Sequence, residues 1–418
     1  MKLGNYSLGM GDRFGRQGNA QLAAVIQAKN EGINITPVWN KSHREHEIIG
    51  TRPDQVRQEA DASVDKMQWQ GAYFVDADHV SIKTVDPFVE PSDFFTLDVA
   101  DYIGQPVATV ERDGFVQKNK NRIGELELPG LDQILTITKD NLFECANQYL
   151  FAVQEAKRLY EYILKKKGTT PFVTEISMDE TDSPQTPAEL YLILLMIAGE
   201  EIPVQTIAPK FSGRFNKGVD YVDDVETFKN EFEQDVAVIQ LAVQSIALPE
   251  TLKLSVHSGS DKFSIYKPIR EILQRTGAGI HVKTAGTTWL EEVIGLAEAD
   301  GDGLSLAKEI YSKAYDLRDA LCKPYATVID IEESRLPNPE TVQTWRSDDF
   351  TAALRHEPDS KQFNPDFRQL IHVGYKIAAQ MGDRFYNGLQ SHESVIAKNV
   401  TGNLLERHIR SIFPKSES

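Results

Sequence analysis

Cysteine is almost missing from this chain: Cys145 and Cys322 are the only two, in unrelated contexts and without metal-site spacing. A disulfide framework is therefore not expected. Long apolar runs are missing as well. No segment approaches the roughly 18 uninterrupted apolar residues that a membrane span needs. The opening residues, MKLGNYSLGMGDRFG, have no apolar core of the length a secretory leader carries. The expectation is a cytoplasmic protein with no membrane partner. Positive charge is in short supply too: 45 lysines and arginines face 62 aspartates and glutamates, a formal net charge of −17. Such a surface repels the phosphate backbone, so nucleic acid is not an expected partner. No Gly-x-Gly-x-x-Gly turn follows the first apolar segment, which argues against a dinucleotide fold.

What is present is a core-forming supply of apolar residues, 41% of the chain, arranged in alternating short and long segments. Short β-branched or apolar runs fall at 6–11, 34–40, 72–80, 94–103, 171–180, 202–211, 252–259 and 279–286. Segments of helical period follow them, among them 141–167, 186–200, 223–247, 264–275 and 287–298. Eight strand–helix units by about residue 300 predict an α/β fold of the (β/α)8 TIM-barrel type. The irregular stretch 104–140 reads as an insertion after the fourth strand. Residues 301–418 read as a helical C-terminal appendage packed on the 1–300 barrel, either a lid or a contact between copies of the chain.

In such a barrel the chemistry sits where strands end at the C-terminal face. Three of the nine histidines fall there on three different segments: His79 in YFVDADHVS, His257 in LKLSVHSGSDK and His281 in GIHVKTAGT. A lone histidine there is usually a satisfied polar residue, but three in matching positions predict ligands of a divalent metal with open positions for substrate. Zinc comes first, with nickel, cobalt and manganese as alternatives. Asp78 beside His79 is a candidate general base. Asp76 faces the same side and either orients His79 or is a buried hydrogen-bonded carboxylate. In EISMDETDSPQTP, Asp179 or Glu180 is placed to act as ligand or acid/base, while Asp182 or Ser183 would cap the next helix. Arg13, Arg214, Lys262 and Lys283 follow apolar runs, and four cations around one mouth of an acidic protein predict a small anionic substrate. His43, Arg44 and His46 are either substrate-facing or solvated, and His372 reads as a half-buried structural residue rather than one that reaches over the barrel mouth.

The strings GMGDRFG, FVDADHV, ISMDETDSPQTP, LSVHSGSDKFSIY, HVKTAGTTWLE and RQLIHVGY, taken in order, resemble the motif series of the tagaturonate epimerase family. A more distant likeness runs to class II aldolases. The resemblance implies a metal-dependent epimerase interconverting tagaturonate and fructuronate in hexuronate catabolism, with Asp78 as base and His79, His257 and His281 on the metal. The two ketoses differ at C4, β to the C2 ketone, where a proton is not acidified. Retro-aldol cleavage between C3 and C4 followed by re-addition to the aldehyde's other face would invert that carbon, which is why an aldolase-like site suits an epimerase. An aldolase with the same metal site, a neutral-ketose 4-epimerase and a non-catalytic sugar-acid binder are the competing readings.

Overall fold

The computed structural model describes residues 2–181, 183–284 and 286–416. Eight parallel strands close into a barrel: β1 (Tyr6–Gly11), β2 (Thr36–Ser42), β3 (Phe74–Val80), β4 (Phe94–Asp98), β7 (Val173–Ser177), β8 (Thr206–Ala208), β9 (Lys253–His257) and β10 (Ile280–Lys283), with β10 pairing back onto β1. The remaining two strands, β5 (Gly124–Glu127) and β6 (Ile134–Ile137), form an antiparallel hairpin outside the barrel. With the helix Thr109–Lys118, that hairpin makes up the segment inserted after the fourth barrel strand.

Seven of the eight barrel strands fall inside the segments expected from the sequence, and β2 runs two residues past its own, to Ser42; six are shorter than the apolar runs that announce them, and β1 fills its run. The run 202–211 yields only the three residues of β8. Pro203 and Pro209 bracket it, and proline has no N–H to give a ladder. Helix starts are set by local polar residues. Ser42 and Glu45 form a capping box that begins the helix His43–Ile49 directly at the end of β2. Thr186 and Glu189 do the same for the helix Pro187–Gly199, with Pro187 in its first turn. That cap replaces Ser183, and Asp182, the other expected cap, lies outside the described residues.

The N-terminal end of the barrel is stoppered by an apolar layer of Leu3, Val38, Phe74, Phe94 and Val173, all buried. Above it the interior turns polar. Beyond Gly301 the chain is helical and wraps the barrel's last and first helices. Trp289 Nε1 donates to Ile371 O at 2.9 Å, Phe14 packs on Phe385 with ring centroids 4.6 Å apart, and Thr401 Oγ1 donates to Ala20 O at 2.8 Å. No helix of the described residues is long and apolar enough to cross a membrane.

One buried ionic node ties the wrapping helices to the loop after β9. Asp261 accepts from Arg368 Nη2 at 2.7 Å and from Thr287 Oγ1 at 3.1 Å. It also faces His356 Nδ1 at 3.3 Å and His408 Nε2 at 3.4 Å. Removing one member of a buried ion pair strands the other without water. Asp261→Ala is expected to destabilise the fold by about 3–5 kcal/mol, read as a lower urea midpoint at unchanged slope; an unshifted midpoint would show that the node bears no load.

Candidate active site

Alternation along the strands stacks the interior polar side chains in layers. In the deepest polar layer His281 Nδ1 lies 2.9 Å from Ser7 Oγ, and its ring packs at 5.3 Å on Phe94. Burial depresses this imidazole to about 3, so it is neutral. Lys283, two residues further along the same strand, rises to the next layer. Its Nζ lies 2.8 Å from Asp76 Oδ2, 2.9 Å from Asp78 Oδ1 and 2.9 Å from Glu175 Oε1. Thr96 donates to Asp76 at 3.0 Å, and Thr206 donates to Glu175 Oε2 at 2.7 Å. Burial opposes every one of these charges, yet the three carboxylates hold Lys283 well above its ordinary value. Burial raises Asp76 to about 7, whereas Lys283 overcomes burial at Asp78 and brings it to about 2.

The top layer is built by a backbone distortion. His79 would face away from the interior that Asp78 enters, because neighbours on a strand alternate. The register between β3 and β4 slips between Ala77 and Val80, and His79 takes a left-handed backbone with φ of 48°. A bulge of this kind re-aims a side chain at the price of local strain. Both Asp78 and His79 therefore reach the mouth. His79 Nε2 lies 3.9 Å from Asp78 Oδ1 and its Nδ1 3.8 Å from Asp98 Oδ2. His257, at the end of β9, puts Nε2 2.9 Å from Glu175 Oε1 and Nδ1 3.1 Å from Asp179 Oδ2. Ser177 Oγ donates to Asp179 from below.

His79, Asp179 and His257 each offer a donor atom, and these atoms lie within 4.8 Å of one another. The Nδ1 atoms of His79 and His257 are buried and face the carboxylates of Asp98 and Asp179 at ion-pair distance without closing a well-formed hydrogen bond. Imidazole and carboxylate donors of this kind suit a first-row divalent cation, with positions left for a ligand. The electrostatics agree. Burial lowers His257, but Asp179 and Glu175 more than compensate and bring it up to about 9. Burial likewise works against the His79 imidazolium, and Asp78, Asp98 and Asp179 together hold it well above its ordinary value. The mouth draws positive charge onto itself.

The expected set of three histidines does not converge. The strand period puts His281 one layer beneath the mouth, where Lys283 stands instead, and Asp179 joins His79 and His257 in its place. Asp78, Asp179 and Glu180 all line the cavity of about 320 Å³ at this end of the barrel, as do Arg13 and Lys283. Arg214 does not: it is exposed and pairs with Asp330 at 3.4 Å. Lys262 does not either, since it is buried behind the wall with Nζ 2.9 Å from Ser260 Oγ. The cations that do join Arg13 around the cavity are Arg44 and Lys217, with Tyr325 and Tyr375 between them. Of the stretch after β2, Arg44 and His43 face this cavity. His46, on the same helix, turns inward to Thr51 instead, with Nδ1 2.9 Å from its Oγ1. Arg13 is aimed by Asp12, whose carboxylate accepts from the N–H groups of Phe14, Gly15, Arg16 and Gln17, fixing the turn after β1. Its guanidinium lies 3.8 Å over the Tyr375 ring. His372 is buried, as a structural histidine would be. Lys217 and Tyr325 had no signal in the sequence, being in a loop and in the strandless tail, whereas Tyr375 closes the string RQLIHVGY. Asp98 carried a weaker one, as an acid within the fourth apolar run, at the point where β4 ends.

Two wider clefts, about 810 and 520 Å³, lie at the opposite end of the barrel around Asn5 and Gly277, and neither is lined by a histidine. A closed parallel barrel whose C-terminal mouth gathers imidazoles, carboxylates and guanidinium groups defines the class of (β/α)8-barrel enzymes. More narrowly, the chain belongs to the tagaturonate epimerase family, whose model matches residues 1–412. It is 27% identical to the tagaturonate/fructuronate epimerase of Thermotoga maritima over 417 residues, covering 96% of this chain and 80% of that relative. Crystal structures of the fructuronate-tagaturonate epimerase UxaE from Cohnella laeviribosi share the fold. The form with two glycerols aligns over 99% of this chain and 82% of that one, with a TM-score of 0.81 and 22% identity. The native form gives 0.78 over 97% and 81%, also at 22% identity.

A pH dependence follows from His257. Its folded value is raised, so its contribution to stability is complete below about 6.5, the ordinary value, and is lost as pH rises through about 9. In the metal-free protein, melting temperature should fall across that window, and His257→Gln should flatten the fall. An identical slope in the mutant would place the titration elsewhere.

Proposed function

We propose that this chain interconverts tagaturonate and fructuronate by retro-aldol cleavage and re-addition at C4, with a divalent cation on His79, Asp179 and His257. The observation that carries this reading is the polarity of one cavity. Its floor concentrates carboxylates and imidazoles that seek a cation, and its rim concentrates Arg13, Arg44 and Lys217, which seek an anion. A ketose acid has a matching pair of ends, the ketone with its hydroxyls and the carboxylate. The cation, zinc first with nickel, cobalt or manganese as alternatives, would supply Lewis acidity toward the ketone when bound. The protein's own groups do the remainder. Arg13 is braced by Glu45 at 3.5 Å and by the Tyr375 ring, so it presents its fork in one orientation to the carboxylate. Lys283 fixes Asp78 and Glu175, and Glu175 in turn fixes the imidazole of His257. Glu180 stands exposed at the rim, where it can exchange protons with solvent.

Metal analysis by mass spectrometry should find about one divalent ion per chain, with tagaturonate turned over by the same preparation. His257→Ala should lose both. A metal-free wild type with full turnover would end the metal assignment. Solvent deuterium should stay out of C4, and its entry there would end the retro-aldol route. Net accumulation of two three-carbon fragments would instead assign a lyase. Lys217→Met should raise KM for tagaturonate about tenfold or more, the worth of one charged hydrogen bond. A KM that does not move would remove Lys217 from the carboxylate site.

A further inference from the structure

The aldol exchange needs a group that takes the proton from the hydroxyl at C4 and returns it. The carboxylates on the cavity floor are already engaged: Asp78 with Lys283 at 2.9 Å, and Asp179 with His257 at 3.1 Å. Another oxygen acid reaches the same cavity from the C-terminal part of the chain. The short 3-10 turn Lys323–Tyr325 inserts Tyr325, 7% exposed, into the cavity wall. Cations from three separate elements face its ring: Arg44 at 5.4 Å from the helix after β2, Lys217 at 5.8 Å from the loop after β8, and Lys376 at 5.0 Å from the helix Tyr375–Gln380. None of these three cations has a carboxylate within ion-pairing distance among the described residues; Glu180, further off at the rim, and Glu45, paired to Arg13, are the acids of this region. The Tyr325 hydroxyl lies 3.0 Å from that of Tyr375.

We propose that Tyr325 is the base that carries the C4 hydroxyl proton of the sugar acid in this reaction. The inference rests on the epimerase reading above and deepens it. Three cations around one phenol favour its phenolate. Burial alone would raise Tyr325, but the hydrogen bond from Tyr375 and the charges of Arg13, Arg44 and Lys376 reverse the sign and bring it below its ordinary value. Burial holds Tyr375 well above its own, so Tyr375 keeps its proton and donates it in that hydrogen bond. The exchange balances. The phenolate oxygen takes the proton from the hydroxyl at C4, the C3–C4 bond breaks, and its electron pair moves to C3 and into the C2 carbonyl as an enediolate. C4 is left as an aldehyde. After rotation, C3 attacks the aldehyde's other face, the electron pair returns to form the C3–C4 bond, and the new alkoxide takes the proton back from the phenol.

The test is the pH profile of kcat and KM for tagaturonate, measured on metal-loaded wild type, Tyr325→Phe and Tyr375→Phe, with metal content and melting temperature checked for each. Wild-type kcat should rise with pH through the phenol's ionisation and then level. Tyr325→Phe should lower kcat by about 10²-fold or more, leave KM nearly unchanged and remove that limb. Tyr375→Phe should keep the limb and move it to higher pH, because the phenolate loses its donor. A Tyr325→Phe enzyme with wild-type kcat overturns the proposal, and so does one that changes only KM, which would make Tyr325 a carboxylate-binding group. If Tyr325→Phe does not fold, an unmoved limb in Tyr375→Phe overturns it alone. A wild type that turns over no tagaturonate overturns the reading beneath, and is distinguished by that control.

Discussion

A single ammonium group inside the barrel is the constraint on which the site depends. Asp76, Asp78 and Glu175 come from two strands and would repel one another in a buried space of low dielectric. Lys283, from a third strand, reaches all three within 3 Å. Because that lysine is shared, its position fixes theirs. Glu175 is then held where it can orient His257, and Asp78 where it faces His79. The geometry of the mouth is inherited from a layer that is itself out of reach of solvent.

Charge in this molecule is sorted by height along the barrel axis. The stopper is apolar, the layer of His281 is neutral, the layer of Lys283 has more carboxylates than ammonium, the mouth pairs two imidazoles with Asp98 and Asp179, and the rim is cationic. That gradient gives one small cavity a cation-seeking end and an anion-seeking end, the pair of ends that the proposed function uses. The C-terminal helices complete it, since Tyr325 and Tyr375 separate Arg13, Arg44 and Lys217 from one another. The Asp261 node anchors those helices to the loop that follows His257, so the tail is joined to β9 within a few residues of the cavity.

The barrel was legible because each strand is an apolar run ended by polar residues, a local pattern that survives folding. His79, His257, Asp78 and Asp179 were legible for the same reason, standing where those runs stop. His281 shows the limit of that logic: an apolar run ending at a histidine does not reveal which residue along it reaches the rim, and the interior period of two carries His281 one layer short. Arg214 and Lys262 follow strands as expected but turn away, one to Asp330 and the other behind Ser260. Lys217 and Tyr325 are brought to the cavity by long-range packing of loops and tail, for which no local spacing gives a sign.

The apolar stopper of Leu3, Val38, Phe74, Phe94 and Val173 makes the barrel blind-ended. Whatever enters at the mouth must leave by the mouth, past the same guanidinium and phenol groups that received it. For the retro-aldol route proposed above, which would cut a carbon chain in two and have to rejoin it, a dead end is an asset. The fragment lying deeper has no exit of its own, and the outer fragment, if it keeps its carboxylate on the arginines, bars the way. Retention of both halves, and with it the difference between rearranging a sugar acid and destroying one, then depends on five side chains at the far end of the barrel from the chemistry.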